Sequence, residues 1–170
     1  MATSYAMLST FPPTQCGLAT FAYALVSEMT AAGAAVEVVR VVDEPRPRVP
    51  YVTHDLVSFE PGAARHAAAA MNGCDVAIVQ HEYGIFGGRD GAEVVDILNH
   101  VHVPVIVVLH TVLANPTLHQ FQVLAHVVKA ASIVVTMTGT ARRRLLDGMG
   151  RGPAEGPRDR AWSRGQPLAV

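Results

Sequence analysis

The chain has 170 residues, half of them hydrophobic, with 13 basic and 14 acidic side chains and a formal charge of −1. That length fits one domain with a substantial core, and the hydrophobic fraction excludes global disorder. The near-neutral charge argues against a nucleic-acid binder that works by bulk electrostatics, so no nucleic-acid partner is expected.

Two cysteines, Cys16 and Cys74, are too few for a disulfide framework, and reduced thiols in a cytoplasmic protein are expected. The most continuous apolar run, Val103 to Leu109, is seven residues long. A membrane-spanning helix needs ~20. The first residues carry neither a basic segment nor a long apolar one, so no signal peptide is expected.

In chain order, Ala6 to Ser9 is a short strand-like run that ends at the turn signal Phe11-Pro12-Pro13. Leu18 to Ala32 has helical spacing (Leu18, Phe21, Ala22, Leu25, Val26, Met29) and stops at Gly33. Val36 to Val42 is β-branched and reads as a strand, whereas Pro50 to Glu60 is ambiguous. Pro61 to Met71 is an alanine-rich helix closed by Asn72-Gly73, and Val76 to Val79 is a buried strand. A glycine-rich loop, His81 to Gly91, leads to a short helix, Glu93 to His100. Val103 to Leu109 is the strongest strand, Thr117 to Ala131 a helix and Ser132 to Met137 a strand. Thr138 to Leu146 is a helix with arginines in its last turns, a placement that suits the helix dipole.

Strands that alternate with helices and are apolar on both faces predict an α/β fold, a Rossmann-like, doubly wound and mainly parallel sheet with helices on both sides. In such sheets ligands bind beyond the C-terminal ends of the strands. The loops to inspect are therefore Phe11–Gly17, His81–Gly91 and His110–Pro116.

Gly17 opens a helix after a strand, a position where backbone N–H groups can meet an anion, although neither a Walker loop nor a G-x-G-x-x-G fingerprint is present. An ordinary tight turn is as good a reading. Cys16 has no base nearby in sequence and reads as an incidental thiol. His81-Glu82 begins like a zinc-protease motif, but the required second histidine is replaced by Ile85. As a polar pair on the rim, His81 can bond a sugar hydroxyl or take a proton, with Glu82 orienting it; the bland alternative packs His81 under Tyr83. His110 closes the most hydrophobic strand and needs a partner or a cavity. No cluster has zinc spacing, so no metal is expected, and Arg142-Arg143-Arg144 reads as a solvated helix face with phosphate contact as a lesser alternative.

Taken together, Ser9-Thr-Phe-Pro-Pro-Thr-Gln-Cys-Gly-Leu-Ala-Thr-Phe21, Gln80-His-Glu-Tyr-Gly-Ile-Phe-Gly-Gly88, Val105-Ile-Val-Val-Leu-His-Thr-Val-Leu113 and Val134-Val-Thr-Met-Thr138 with Arg142 to Leu146 resemble, in order, family 4 glycosyltransferases of the actinobacterial type. The resemblance spans roughly residues 4 to 149. It implies one half of a GT-B fold, the N-terminal, acceptor-side domain of a retaining enzyme that uses a nucleotide sugar as donor and usually needs no metal. It places Gln15 and Gly17 near the donor phosphates, His110 at the reaction centre as the catalytic residue, and His81, Glu82 and Tyr83 on the acceptor side. No cofactor beyond the donor substrate is implied. The expected partners are a sugar or lipid-linked acceptor, another copy of the chain or a separate C-terminal domain.

The family continues with a second, donor-holding domain, whereas here Gly148 to Val170 holds five glycines, three prolines and four arginines with no apolar periodicity. Residues 1–149 are thus expected to form the domain and 150–170 a disordered or loosely packed tail. The composition change suggests a truncated, frameshifted gene product that is not competent alone. Two other readings stay open: a partner-binding or self-associating module that uses the inter-domain face, and a different nucleotide-dependent Rossmann-like enzyme.

Overall fold

A computed structural model describes residues 2–151 and 168–169. Seven parallel strands form one sheet: β1 (Ser4–Ser9), β2 (Ala35–Val42), β3 (Val52–Val57), β4 (Val76–His81), β5 (Val105–Leu109), β6 (Ile133–Thr136) and β7 (Leu168–Ala169). Their order is β3-β2-β1-β4-β5-β6-β7. The helices are α1 (Gly17–Ala31), α2 (Ala63–Met71), α3 (Glu93–Leu98), α4 (Leu118–Ala130) and α5 (Gly139–Arg151). The chain winds outward from β1 to β2 and β3, then returns to the other side of β1 with β4, β5 and β6. The β1/β4 boundary is therefore the point at which the winding reverses, the position where sheets of this kind bind ligands beyond the strand ends.

The pleat divides the core in two. On one side Ala6, Leu8, Ala77, Val79, Val107 and Leu109 pack with residues of α2, α3 and α4. On the other, Met7, Ile78 and Val108 pack with Ala22 and Val26 of α1. Small residues set the spacing of α2, whose Ala63, Ala67, Ala68 and Met71 are buried at helical intervals. The sheet is central and covered on both sides by apolar helix faces, as its unbroken β-branched strands require.

The ambiguous stretch from Pro50 to Glu60 contains β3, reached from β2 through residues 43–51 without a helix. A buried arginine replaces the missing helix as the organiser of that link. Arg40, with no exposed surface, forms a two-pronged pair with Asp55 (2.7 and 2.9 Å) and donates to the carbonyls of Arg46, Pro47 and Pro12. Burial pushes the Asp55 carboxyl up, but its bonds to Arg40 and the Arg46 N–H outweigh this and hold it below its ordinary value.

One helix departs from expectation. α5 runs to Arg151, past residue 150 where a tail was expected, so Arg142–Arg144 lie in its first turns and not its last. The dipole no longer favours them there. Instead, Arg144 donates to the Val112 carbonyl (3.3 Å) and Arg143 to Thr140 Oγ1 (3.0 Å), while Leu145 anchors the helix in the core. Most of the expected tail lies outside the described residues; Leu168 and Ala169 pair in parallel with Val134 and Val135 of β6.

Candidate functional site

The three loops singled out by sequence leave the C-terminal ends of β1, β4 and β5, which are neighbours in the sheet. Unsatisfied polarity is concentrated at this same edge. The buried side-chain polar atoms without a partner, among the described residues, are Ser9 Oγ, both ring nitrogens of His81, and Thr136 Oγ1. Each belongs to the last residue of its strand. Buried polar groups are normally paired, so their accumulation singles this edge out as the candidate site.

The loop after β1 turns tightly, with the Thr14 N–H on the Phe11 carbonyl (3.1 Å) and the Cys16 N–H on the Thr14 carbonyl (3.2 Å). Cys16 caps α1: its sulfur accepts from the Ala19 N–H (3.3 Å) and lies 3.4 Å from Thr10 Oγ1. No acidic residue sits in the first turn of α1. The N–H groups of Gly17 and Leu18 have no partner among the described residues. Gln15 and Gly17 are exposed, and a Cβ built on Gly17 would meet nothing within 4 Å. The helix thus presents free donors and the positive end of its dipole to open space.

One turn further on, Phe21 carries this helix to His110, with rings 5.1 Å apart and nearly perpendicular. The His110 N–H bonds the His81 carbonyl (3.1 Å). Its side-chain Nε2 lies 2.6 Å from Oε1 of Gln80, a fully buried amide. Burial lowers the His110 pKa, against the opposing pull of Glu82, so the ring is neutral near pH 7. Glu82 is braced on both sides. It accepts from the Thr111 hydroxyl through one oxygen and from the Tyr83 N–H (3.0 Å) through the other.

His81 is not part of this group. It pairs in register with Leu109, so it lies on the α2–α4 side of the sheet while His110 lies on the α1 side. It has no exposed surface, and its ring is 5.1 Å from that of Tyr83 in an edge-on contact. Burial, reinforced by His110, lowers its pKa to about 4. Tyr83 is itself half-buried, and burial together with the Glu82 and Asp90 carboxylates pushes its phenol up to about 12. Its hydroxyl donates to the Gln120 carbonyl (3.4 Å).

Sequence reasoning missed four participants. Gln80, Phe21 and Thr111 touch His110 or Glu82; of these only Gln80 left a signal, a polar residue that continues the apolar run Val76-Ala-Ile-Val79. The fourth, Asp90, ties the loop after β4 to the first turn of α4. It accepts from Gln120 Nε2 (3.3 Å) and pairs with His119 Nδ1 (2.8 Å), with its own backbone at φ 51°. Among the described residues no group of three or more His, Cys, Asp or Glu side chains is placed to share a metal ion. Clefts of about 350 and 420 Å³ flank α3, one beside Phe59, the other beside His119 and His126. Neither is lined by Gly17, Glu82 or His110.

Solved structures of similar shape are alpha-glucosyltransferases. The shared feature is the fold, an α/β Rossmann-like parallel sheet covered by helices. One alpha-glucosyltransferase in complex with UDP superposes with a TM-score of 0.66 at 12% identity, over 99% of this chain and 43% of that one. Another, in complex with UDP-glucose and DNA containing an abasic site, gives 0.62 at 14% identity over 92% and 41%. A third, with UDP and a 13-mer DNA containing an A:G mismatch, gives 0.58 at 13% over 81% and 38%. The chain thus spans about two fifths of the length of these proteins and forms one Rossmann-like half of such a fold. No protein-family model and no curated protein matches the sequence.

These structures correct one expectation. Nucleic acid was excluded on the formal charge of −1, yet proteins with this fold are solved with DNA bound. Net charge is a sum over the whole surface and does not report a local basic stretch such as Arg142–Arg144. Among the described residues no helix is long and apolar enough to cross a membrane.

Proposed function

We propose that this chain supplies the N-terminal, acceptor-side lobe of a retaining glycosyltransferase of the family 4 type, which takes a nucleotide sugar as donor and uses no separate cofactor. The observation that carries the reading is the convergence of the free α1 N-terminus and His110 through the Phe21 contact, at the point where the sheet reverses its winding. The free N–H groups at Gly17, with Gln15 beside them, suit a diphosphate. A neutral His110 a helical turn away suits a sugar hydroxyl close to the anomeric carbon. Glu82 and Tyr83 face the hydroxyl-bearing acceptor; His81 serves from beneath, as the packing against which Tyr83 is set.

The exposure of Gln15 and Gly17 fits a reaction carried out between two lobes. Catalysis requires the transition state to be held better than the ground state, and one face offers few contacts to hold it. The 170 residues are therefore expected to bind but not to transfer, unless a second lobe is placed opposite.

Titration of UDP-glucose into ¹⁵N-labelled protein tests this. Shifts centred on Gly17, Leu18 and His110, with a Kd on the order of 1 mM, are expected. Shifts confined to the α3 clefts, or none at all at 10-fold higher ligand, would sink the assignment. A parallel titration with a short DNA duplex decides whether DNA, which is present in the structures of the DNA-bound neighbours, also binds at this rim.

A further inference from the structure

The strand β4 ends Val-Ala-Ile-Val-Gln-His, and the glutamine has no exposed surface. An amide buried in an apolar sheet costs stability unless it is hydrogen-bonded. Valine or leucine would fill this position without that cost. Its bonds are two. The amide nitrogen lies 3.9 Å from Met7 Sδ, a long contact with a weak acceptor, and Oε1 lies 2.6 Å from His110 Nε2. The second bond is what holds Gln80 in place.

We propose that Gln80 is the positioning residue for His110: it fixes the imidazole as the Nε2–H tautomer, so that Nδ1 is the ring's free lone pair, and holds the ring in the plane that faces α1. The chemistry of the two atoms on either side of the amide decides its orientation. A thioether sulfur only accepts, so the NH₂ end turns to Met7 and the carbonyl end is left for His110. An amide oxygen also only accepts, so the His110 nitrogen opposite it must carry hydrogen. Phe21, edge-on at 5.1 Å, closes the other side and resists rotation of the ring. The titratable groups around His110 are Glu82, on the loop after β4, and His81, whose carbonyl accepts the His110 N–H; from α1, Phe21 faces the ring.

The assignment of a task to Nδ1 rests on the glycosyltransferase reading: the free lone pair would accept a hydrogen bond from a sugar hydroxyl. The tautomer itself does not rest on it, and the two are tested separately. Long-range ¹H–¹⁵N correlation spectra of the full chain with ¹⁵N-labelled histidine, assigned with H110N, report which ring nitrogen is protonated. The wild type should show Nε2–H. Gln80→Met, which keeps the length and removes the acceptor, should turn this into a mixture of tautomers. Gln80→Glu should restore Nε2–H and raise the protonated fraction of His110 at pH 7 about tenfold or more, because a carboxylate favours the charged ring. Circular dichroism melts establish that both variants fold; if Gln80→Met does not, Gln80→Glu alone carries the test through its effect on protonation. An unchanged His110 spectrum in both folded variants overturns the proposal. A changed tautomer with no binding of UDP-glucose by the wild type upholds Gln80 as the positioning residue and overturns the glycosyltransferase reading. Binding weakened about tenfold by Gln80→Met upholds both.

Discussion

Two histidines stand at the C-terminal ends of adjacent strands and share one backbone hydrogen bond, yet their surroundings are opposite. His110 is half-buried, bonded through Nε2 and edged by an aromatic ring. His81 is sealed, with neither ring nitrogen bonded. A single residue of register separates them: His81 pairs with Leu109, and His110, one further on, faces the other side of the sheet. Exposure of the ring is thus decided by strand parity and not by closeness to the rim. The His110 side keeps a partly exposed, hydrogen-bonded ring, whereas the His81 side stores an unbonded polar group at a cost in stability.

The sharpest way to break this comparison is acid. In the folded chain His81 titrates at about 4, below its ordinary value of 6.5. The folded state therefore binds fewer protons than the unfolded one between those values. The stability linked to this group is whole above pH 6.5 and is lost as the pH falls toward 4. A gap of that size is worth roughly 3 kcal/mol. His81→Leu removes the titration and the unbonded nitrogens together. It should stabilise the protein by roughly 1–3 kcal/mol at pH 7.5, and its advantage should widen by roughly 3 kcal/mol by pH 4. Urea unfolding at a series of pH values measures both. Parallel curves for the two proteins would mean that His81 is already solvated.

A smaller effect tests the roof above His81. Gly91 is buried, adopts φ 72°, and a Cβ there would lie 2.8 Å from the Tyr83 carbonyl oxygen. Gly91→Ala should destabilise by about 2 kcal/mol, since both the conformation and the space oppose it. By displacing Tyr83 it should also let water reach His81 and move its titration back toward 6.5. Loss of stability without that movement would show that Tyr83 is not what seals the ring.

Much of this was legible in the residues. Apolar periodicity locates five of the strands and all five α-helices, and the rule that ligands bind beyond strand ends selects three loops that do share one edge. What could not be read has identifiable causes. β3 was obscured because Pro50 and the residues before it suggest a loop, and the strand is secured by Arg40, fifteen residues away from its partner Asp55. α5 was cut short at Leu146 because Gly148 and Gly150 look like stops, although the buried Leu145 holds the helix to the sheet. The grouping of His81 with His110 failed on register, which depends on how two strands align and not on either alone. Gln80 was visible as a polar residue in an apolar strand, but its meaning lay in a neighbour thirty residues away.

The smallest expected change in stability carries the most information about the His110 side. Gly17 has no unusual backbone angle and no neighbour that a methyl group would meet. Neither folding nor packing demands glycine there, in contrast to Gly91. Gly17→Ala should therefore alter stability by no more than about 0.5 kcal/mol, with a slight gain favoured because alanine loses less backbone freedom on folding. If open space over α1 is where a diphosphate approaches the N–H groups of Gly17 and Leu18, the same methyl group intrudes on the ligand. UDP-glucose binding should then weaken in Gly17→Ala and vanish in Gly17→Trp, while the melting temperature of the alanine variant stays put. Unimpaired binding in the tryptophan variant would move the anion away from the α1 N-terminus and leave the His110 side of the comparison without its second anchor.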